Sequence, residues 1–581
     1  MTPIIGIDLG TSNSLCAVFE EGQPKLIPNA HGSVITPSFI SISADDRVLV
    51  GSAAKETRVT QPERCACVFK RLMGTDRKVE IGGHVFTATE MSSLVLQSLK
   101  QDAEAYLGME VHDAIITVPA YFNDHQRNAT KQAGELAGLN VRRIINEPTA
   151  AALTYGFHDR QAEKKLIVID LGGGTFDVTA MEVFEGTLEI ISTAGESMLG
   201  GEDFTNRILA KVLNSQNLQV EIAEVKHPLL VSRLKQECEA AKCTLARETE
   251  ARIRIPNLQG ELNENAATHT ITRDEFLELA DPLVKQLARP IAKAVRDSRI
   301  APQDFDSVIL VGGATRMEAV RGFIREFFGV EPLCTHNPDE VVALGAAVQA
   351  ALIQDDRAVE DMVMTDVCPF TLGTEVIKEF GRRQVNGYYL PIIHRNTTIP
   401  VSREEVVGTV EPNQREMTIN VYQGEGRKVE DNLFLGTMKV TGIPPGPSGK
   451  PVHLRFTYDM NGILEVEAFV PETGKKFKTV LTQHAKLTSK SEIDAAVKNL
   501  QKLKFYPRDD IKNQHLVRYA ERVIGEVSPF QRDDLESSID YFEQSMASGD
   551  PEYFEQAKQN LLTALAALGF CYDEDDQEFQ V

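Results

Sequence analysis

The chain has 581 residues, of which 42% are apolar, and its formal net charge at pH 7 is −23. This length exceeds what one hydrophobic core can serve, so we expect about two to four domains. The negative charge excludes a general binder of nucleic acid or anionic membranes, because phosphate groups would be repelled over most of the surface. Since the first strand is predicted from about Pro3 and no apolar run reaches membrane-spanning length, we expect a soluble, cytoplasmic protein.

The first predicted element is an apolar strand in the segment IIGIDLGTSNS at 4–14, where Asp8 precedes a glycine and small hydroxyl residues. The segment VIDLGGGTFDVTAM at 168–181 repeats this pattern, with Asp170 in the place of Asp8. The repeat indicates an internal duplication in which each half presents a tight strand–turn–strand unit. The three consecutive glycines at 172–174 are costly in conformational freedom, so we expect that something approaches this turn too closely for a Cβ.

Two such turns facing one another would direct backbone amides into a cleft, and amide donors are what polyphosphate oxygens need. The amides concerned belong to residues 10–13 and 172–175. The aspartates would hold Mg²⁺ through water, since Mg²⁺ releases its hydration shell reluctantly. Two ordinary hairpin turns are the alternative, but acids in matching positions favour nucleotide binding.

Eight cysteines are scattered along the sequence, which is not the density of a disulfide-stabilised scaffold. The close pairs are Cys65 with Cys67 and Cys238 with Cys243, and neither has the spacing of a zinc site. We interpret the cysteines as thiols in a reducing compartment and keep a metal or redox role as the alternative.

Strands and helices alternate as far as about residue 355, which indicates an α/β domain. The apolar strands are predicted at 114–118, 166–169 and 308–311. Two helices rich in alanine and glycine are predicted at 147–156 and 339–352. Small residues at helical spacing permit a close crossing of helices, either as static core packing or as the hinge of a two-lobed cleft.

The composition changes near residue 355, where the acidic segment QDDRAVEDMVMTDV at 354–367 lacks a clear element and is interpreted as a linker. Short alternating segments follow, and REMTINVYQ places Met417, Ile419 and Val421 on one face of an antiparallel strand.

A further hairpin is predicted to turn at Asn461 and Gly462. A helical region begins near Ser489, where SKSE forms a capping box with Glu492. The acidic residues at the end of the chain predict a solvated, disordered tail.

Several motifs occur in the order typical of one protein family: GIDLGTSNS, VPAYFNDHQR, IINEPTAAALTYG, DLGGGTFDV, GGEDF and LVGGATR. From Ile4 to about Leu487 the chain resembles the DnaK-type family of seventy-kilodalton heat-shock chaperones. The resemblance implies an α/β actin-like two-lobed ATPase domain, an antiparallel β-sandwich that binds peptide, and a short α-helical lid. The Walker sequence GxxxxGK[ST] does not occur, which disfavours a P-loop ATPase.

The resemblance also implies domain boundaries. The expected parts are the ATPase domain at 1–353, the linker at 354–367, the β-sandwich at 368–487, the lid at 488–571 and an acidic tail at 572–581. The lid is shorter than is usual in the family, and the first lobe lacks a segment after Gly74. This pattern is that of the short-lid HscC-like branch.

Where motifs of this chain match those of the family, the resemblance assigns chemical roles to the residues of the cleft. Lys70 would orient the attacking water and stabilise developing charge, and Glu147 would assist the water. The implied catalytic set is Lys70, Glu147, Asp170, Thr175 and Asp177, and the implied ligands of hydrated Mg²⁺ are Asp8, Asp170 and Asp177, with K⁺ left open as a further cation. ATP or ADP would contact Gly10, Thr11, Ser12, Asn13, Gly172, Gly173, Gly174, Gly200, Gly201, Asp203, Glu239, Lys242, Gly312, Gly313 and Arg316.

In the β-sandwich the resemblance places a groove in which an extended peptide would form main-chain hydrogen bonds and one apolar pocket would select a side chain. The implied groove residues are Thr374, Val376, Ile377, Val407, Val410, Met417 and Ile419, for which ordinary sandwich core is the alternative. The segment at 378–389 is expected to be a long loop. Coupling between the domains is assigned to Pro119, Arg127 and Asp366, although Pro119 also suits a simple strand end.

The chain departs from the family pattern at some of these places. Ala246 replaces a serine that commonly hydrogen-bonds adenine, which would weaken nucleotide binding by on the order of 1 kcal/mol. Residues 362–365 replace the usual run of leucines in the linker and end on the polar Thr365. Met417 stands where a smaller valine is common and would narrow the peptide pocket.

We therefore expect an ATP-dependent chaperone that binds extended apolar segments of unfolded or client proteins, with ATP hydrolysis switching its affinity for peptide. The expected partners are client polypeptides, a J-domain co-chaperone and a nucleotide-exchange factor whose need is left open, without nucleic acid or membrane. The alternatives are an actin-like small-molecule kinase, a module that only holds nucleotide, and a regulator of the same family with a single client.

Overall fold

The computed structural model describes residues 3–481, apart from 45, 159–162, 185–186, 264–265, 335, 355, 360–361, 381–382 and 461, and residues 511–572, apart from 525–526, 528, 549–550 and 571. The chain divides into two compact units, Met1–Pro369 and Phe370–Val581. The predicted capping box at Ser489 and Glu492 and the acidic residues from 573 onward lie outside the described residues.

The first unit contains two lobes that share a core strand arrangement. The first lobe contains β1 Ile4–Asp8, β2 Asn13–Glu20, β3 Gln23–Ile27, β4 Thr36–Pro37, β5 Phe39–Ile42, β6 Val48–Val50, β7 Cys65–Cys67, β8 Lys78–Ile81, β9 His84–Thr87, β10 Asp113–Val118 and β11 Asn140–Asn146. Its main sheet has the order β11-β10-β1-β2-β3. Strands β1, β2 and β3 are antiparallel, whereas β10 and β11 continue the sheet in parallel with β1.

The second lobe repeats this pattern with β12 Lys164–Leu171, β13 Phe176–Phe184, β14 Thr187–Glu196, β15 Glu250–Arg254, β16 Thr268–Thr272, β17 Ser307–Val311 and β18 Val363–Val367. Here β12, β13 and β14 are antiparallel, and β17 lies parallel to β12. The antiparallel meander and the added parallel strand thus occur in both lobes, which confirms the predicted duplication.

The helices of the first unit are α1 Ser52–Thr60, α2 Ala88–Leu107, α3 Asp124–Leu136, α4 Glu147–His158, α5 Gly201–Ser215, α6 Val220–Lys226, α7 Pro228–Leu245, α8 Arg273–Ser298, α9 Glu318–Phe328 and α10 Val341–Ile353. Capping boxes begin three of them and satisfy the free amides of their first turns; the caps are Thr87 for α2, Asn123 for α3 and Thr272 for α8.

The two small-residue helices, α4 and α10, pack directly against each other. A Cβ on Gly345 would overlap the carbonyl oxygen of Ala150, and the Thr154 hydroxyl donates to the carbonyl of Val341 at 2.7 Å. Ala150 and Thr154 are fully buried. The small residues therefore serve close helix packing.

The segment predicted as a linker without a clear element contains regular structure. A 3-10 helix spans Arg357–Val359, and β18 pairs in parallel with β14 through residues 363–365. The expectation of an irregular segment was wrong here, because backbone pairing with an existing sheet edge orders residues that have little strand pattern of their own.

The second unit contains a sandwich of two antiparallel sheets. Its strands are β19 Leu372–Phe380, β20 Arg383–Ile393, β21 Thr398–Ile399, β22 Val401–Gly408, β23 Glu416–Gln423, β24 Leu433–Thr441, β25 Pro451–Tyr458, β26 Leu464–Val470 and β27 Lys475–Leu481. One sheet has the order β20-β19-β23-β24 and the other β22-β25-β26-β27. Met417, Ile419 and Val421 are buried on one face of β23, as predicted.

The segment at 378–389 is not a long loop, which corrects the expectation from the sequence. Lys378 pairs with Val385, and Phe380 pairs with Arg383, so the two strands continue almost to the tip of a hairpin. Of the predicted turn at Asn461 and Gly462, only Gly462 is described; its φ is 77°, which favours glycine.

Helices α11 Ile511–Ile524, α12 Pro529–Ser548 and α13 Pro551–Ala567 follow the sandwich. They share an apolar core that includes Leu516, Phe542 and Leu561. Among the described residues, no helix combines the length and apolar character that a membrane crossing needs.

Gly345→Ala should lower the free energy of unfolding by about 2–3 kcal/mol or more, because the added methyl takes the space of the Ala150 carbonyl and forces α4 and α10 apart. Gly322→Ala in α9 is the matched control, since its Cβ would meet only Glu318 Oε1 at 3.7 Å. This control should be stabilising by about 0.5–1 kcal/mol. Calorimetric unfolding of the whole chain measures both, and equal effects of the two substitutions would contradict the packing argument.

Candidate functional site

A cavity of about 1040 Å³ lies in the first unit. It is lined by many residues to which the sequence assigns chemistry: Asp8, Gly10, Thr11, Ser12, Asn13, Lys70, Glu147, Asp170, Gly172, Gly173, Thr175, Gly201, Glu239, Lys242, Gly312, Gly313 and Arg316. Gly174, Asp177, Gly200 and Asp203 do not line it. Ala246, the residue that departs from the family pattern, is part of the wall.

The two glycine-rich turns face one another at this cavity. A Cβ on Gly173 would clash with the Ser12 side chain, and a Cβ on Gly174 would lie 2.6 Å from Thr11 Cγ2. None of the three glycines has a left-handed backbone, so lack of space is the reason that glycine is needed at Gly173 and Gly174, whereas a Cβ on Gly172 would make only an ordinary contact with Thr175 at 3.8 Å. The close approach inferred from the glycine run is made by the opposite turn of the protein itself.

Lys70 lines the cavity and lies on a 3-10 helix that spans Phe69–Leu72. Its Nζ donates to Glu147 Oε1 at 2.6 Å, and the lysine side chain is only 3% exposed. The same Nζ lies 5.6 Å from the centre of the Phe122 ring. Glu147 begins α4 directly after β11, so the pair joins two elements of the first lobe.

Carboxylates outnumber cations around this lysine. Desolvation, followed by repulsion from Glu147, raises the pKa of Asp8 and of Asp177 to about 7. The same two causes raise the pKa of Asp170 well above its usual value. Asp170 and Asp177 lie directly opposite each other on β12 and β13. The acids thus form a centre that a divalent cation would relieve of its mutual repulsion.

The donor set fits a hydrated Mg²⁺. Within the described residues, no three acidic, histidine or cysteine side chains converge closely enough to ligate a metal directly. Carboxylates that are near one another but not convergent suit an ion that keeps several of its waters. These residues would hold Mg²⁺ through water and nucleotide phosphates.

The cavity is also lined by the groups assigned to the nucleoside. Lys242 Nζ donates to the carbonyl of Gly201 at 2.9 Å, to the Thr205 hydroxyl at 3.0 Å and to Glu239 Oε2 at 2.7 Å. These bonds fix Lys242 and Glu239 in one arrangement.

Arg316 reaches the cavity from a 3-10 helix after β17. Its guanidinium is held by Asp339 Oδ2 at 2.6 Å and Asn337 Oδ1 at 2.8 Å. Gly312 has a φ of 81°, and a Cβ there would meet the carbonyl of Leu171. The guanidinium held in this way is suited to a flat ring, which can stack on its face, whereas Gly312 makes room for the Leu171 carbonyl of the protein itself.

Asp203 is directed away from the cavity, although the sequence assigns it to nucleotide. Its Oδ2 accepts the amide of Gly200 at 2.8 Å, and both of its carboxylate oxygens accept hydrogen bonds from Arg71. Gly200 packs against the backbone of Gly173 and Gly174. Sequence reasoning missed Arg71, and its only signal was its place directly after Lys70.

The residues assigned to coupling lie in one hydrogen-bond network. Arg127 donates to the carbonyls of Phe122 at 3.0 Å and Ala120 at 3.1 Å, and it also donates to the side chain of Asn146. Asn146 Nδ2 in turn donates to the two carboxylate oxygens of Asp366 at 3.2 and 3.0 Å. Sequence reasoning missed Asn146, which directly precedes Glu147 in the motif INEPTAA.

Pro119 follows β10, and its carbonyl accepts the amide of Phe122 at 3.1 Å in a tight turn. The two preceding residues in the lobe's sheet, Thr117 and Val118, are fully buried. Thr117 donates its hydroxyl to Asp8 Oδ1 at 3.2 Å, which brings the turn near the carboxylates of the cavity.

The residues assigned to the peptide groove differ in burial. Thr374, Met417 and Ile419 are buried, and the Thr374 hydroxyl donates to the carbonyl of Asn420 at 2.9 Å. Val376, Val407 and Val410 are half-buried, and Ile377 is 36% exposed.

The chain matches the family model described as Hsp70 protein over residues 4–567. The chain belongs to the Hsp70 family. The chaperone protein DnaK of Thermotoga maritima and that of Thermotoga petrophila are each 44% identical to this Hsp70 over 507 residues, which cover 86% of its chain and 83% of theirs. DnaK of Thermotoga neapolitana is 44% identical over 493 residues, which cover 84% of this chain and 81% of that relative.

Membership of the Hsp70 family confirms the resemblance and the fold class predicted from the sequence. It also confirms an ATP-dependent chaperone with ATPase activity, because Hsp70 proteins bind ATP or ADP, generally with Mg²⁺.

Asp177→Asn should stabilise this Hsp70 at pH 8 when nucleotide and Mg²⁺ are removed by chelation. Because the folded state binds the Asp177 proton more tightly than the unfolded chain, the aspartate lowers the free energy of unfolding progressively as the pH rises from about 4 to about 7. We expect a gain of about 1–3 kcal/mol at pH 8 that is clearly smaller at pH 5. Thermal unfolding at the two pH values measures it.

Asp281→Asn is the matched control for this measurement, since Asp281 is 54% exposed and pairs with Lys285 on the surface. Its effect should be small and the same at both pH values. A stability gain for Asp177→Asn that does not depend on pH would contradict the raised pKa.

Proposed function

We propose that this Hsp70 hydrolyses ATP in the cavity of its first unit and uses hydrolysis to switch the affinity of its β-sandwich for extended apolar segments of unfolded or client proteins. The observation that carries this proposal is the buried Lys70–Glu147 pair beside the two interlocked turns. An actin-like kinase would use a similar cleft, but it would leave the sandwich and the helices of the second unit without a role.

In this proposal the protein's own groups position the phosphates and the attacking water, and they neutralise the charge that develops during hydrolysis. The amides of the two turns donate to phosphate oxygens, and the Thr175 hydroxyl contacts the terminal phosphate. Lys70 orients the attacking water and stabilises the charge that develops on the transferred group, while Glu147 fixes the ammonium. Mg²⁺, held by the aspartates through water, would supply further neutralisation of the phosphate charge.

The coupling route in this proposal runs from the linker to the lysine. Asp366 lies at the end of the β18 segment that pairs with β14, and it accepts hydrogen bonds from Asn146. Asn146 is joined to Glu147 by one peptide bond, and Glu147 holds Lys70. A movement of the linker strand would therefore be transmitted to Lys70 through two side-chain contacts, that of Asp366 with Asn146 and that of Glu147 with Lys70.

The proposal also includes partner proteins and a cellular compartment. A J-domain co-chaperone would act on the network around Asp366, and a nucleotide-exchange factor would speed release of ADP. No disulfide joins the described cysteines, which supports a reducing compartment such as the cytoplasm.

Single-turnover hydrolysis of ATP with Mg²⁺, with and without an unfolded apolar peptide, tests the proposal. The peptide should accelerate hydrolysis in the whole chain and leave the rate of residues 1–369 unchanged. Lys70→Ala should abolish hydrolysis yet spare ATP binding, because the turns and the nucleoside end remain intact. The control is Lys285→Ala, an exposed lysine of α8, which should hydrolyse ATP at the normal rate.

The possible failures of this test have different meanings. Unchanged turnover in Lys70→Ala would remove this lysine from the mechanism. Hydrolysis that ignores peptide would contradict the coupling and favour a regulator with a single client. A whole chain that binds ATP but never hydrolyses it would favour a nucleotide-holding module.

Thr365→Val should strengthen pairing of the linker strand with β14. Within the part of the chain that the structure describes, the Thr365 hydroxyl is buried and has no hydrogen-bond partner. An unpaired buried hydroxyl costs about 1–3 kcal/mol, and valine has nearly the same shape without it. Hydrogen exchange of residues 362–367 in the whole chain should slow in the variant. Unchanged or faster exchange would contradict this account of the linker.

A further inference from the structure

Arg71 follows Lys70 in the sequence but does not line the cavity. Its guanidinium reaches from the first lobe to the second. Nε donates to the carbonyl of Gly174 at 2.9 Å, Nη1 donates to Asp203 Oδ1 at 3.2 Å, and Nη2 donates to Asp203 Oδ2. The side chains of Arg71 and Asp203 are only 11% and 24% exposed, so this fork is shielded from solvent.

The two acceptors belong to different parts of the second lobe's phosphate-binding end. Gly174 lies in the glycine-rich turn between β12 and β13, and Asp203 lies in the first turn of α5. Asp203 also accepts the amide of Gly200 at 2.8 Å, which fixes the beginning of that helix. Arg71 therefore ties the turn and the helix together from the opposite lobe. A Cβ on Gly174 would lie 3.0 Å from Arg71 Nε, so the glycine leaves room for this contact.

The segment that carries Arg71 is not held by its own backbone preference. Val68 precedes the 3-10 helix with a φ of 59°, a left-handed conformation that β-branched residues rarely adopt. Tertiary contacts must hold such a segment in place. The polar side-chain contacts of this short helix are the bond of Lys70 to Glu147 within the first lobe and the fork of Arg71 to the second lobe.

We propose that Arg71 is a positioning residue: with Asp203 and the Gly174 carbonyl it forms a clamp between the lobes that fixes the 3-10 helix and so holds Lys70 at the reacting phosphate. The inference rests on the proposed function and deepens it. Asp203 acts through Arg71 and not by touching nucleotide, since neither residue lines the cavity. Because the clamp joins the lobes across the nucleotide site, it also slows the release of ADP.

A mutant cycle in the whole chain tests the clamp. Arg71→Ala and Asp203→Ala should each slow single-turnover hydrolysis at saturating ATP about tenfold and speed the release of fluorescent ADP about tenfold, because a charge-assisted fork is lost. The double variant should be no worse than either single one, since each single substitution leaves the other charge without its partner. Arg71→Lys keeps the charge without the fork and should fall between wild type and Arg71→Ala.

The matched control is Arg254→Ala, which breaks an equivalent fork to Glu237 at 3.0 and 2.7 Å within the second lobe. It should change neither rate by more than about twofold, as expected for an exposed pair. Effects of Arg71→Ala and Asp203→Ala that multiply, or wild-type rates for Arg71→Lys, would overturn the clamp. If Arg71→Ala does not fold, the rates of hydrolysis and of ADP release are compared in Arg71→Lys and Asp203→Asn instead.

Failure of the clamp can be told apart from failure of the proposed function. A wild-type chain that does not hydrolyse ATP would contradict the proposed function. The release of ADP from the same variants would still decide whether Arg71 and Asp203 act as one unit.

Discussion

One ammonium group amid several carboxylates is the interaction on which the first unit depends. Lys70 is buried and paired with Glu147, while Asp8, Asp170 and Asp177 have pKa values raised by desolvation and by Glu147. A site with this excess of acids is unfavourable by itself when the acids are ionised, and a cation bound with nucleotide would relieve the repulsion. Binding energy is thereby linked to the state of the cleft, which is what a nucleotide-driven switch requires.

The duplicated lobes explain how such a site is assembled. Each lobe presents a turn between two antiparallel strands, and the turns interlock so closely that Gly173 and Gly174 have no room for a side chain. The site is therefore formed by the contact between lobes and not by either lobe alone. The two turns and the Arg71 fork all lie at the boundary between the lobes. A small change in the angle between the lobes would therefore change all the distances across the proposed phosphate site at once.

The linker contacts both lobes of the first unit. Residues 363–365 extend the second lobe's sheet by pairing with β14, and Asp366 meets Asn146 of the first lobe. A strand that adds to a sheet edge through few backbone pairs is held weakly, and the unpaired Thr365 hydroxyl weakens it further. Weak pairing would suit the proposed coupling, in which this segment attaches and detaches, whereas a fully apolar linker would favour attachment.

The sequence by itself determined the duplication and the two turns at the cavity, because apolar periodicity and glycine-rich motifs are local properties of the chain. Its resemblance to the Hsp70 family supplied the family, the order of the domains and most of the other residues around the cavity. The tertiary structure decided which distant residues each glycine and each charged side chain contacts. Gly173 makes room for Ser12, Asp203 faces Arg71 instead of the cavity, Asn146 joins Glu147 to Asp366, and the predicted loop at 378–389 continues as paired strands. These facts depend on contacts between residues far apart in sequence, and local pattern carries no information about which distant partner a side chain or a sheet edge will meet.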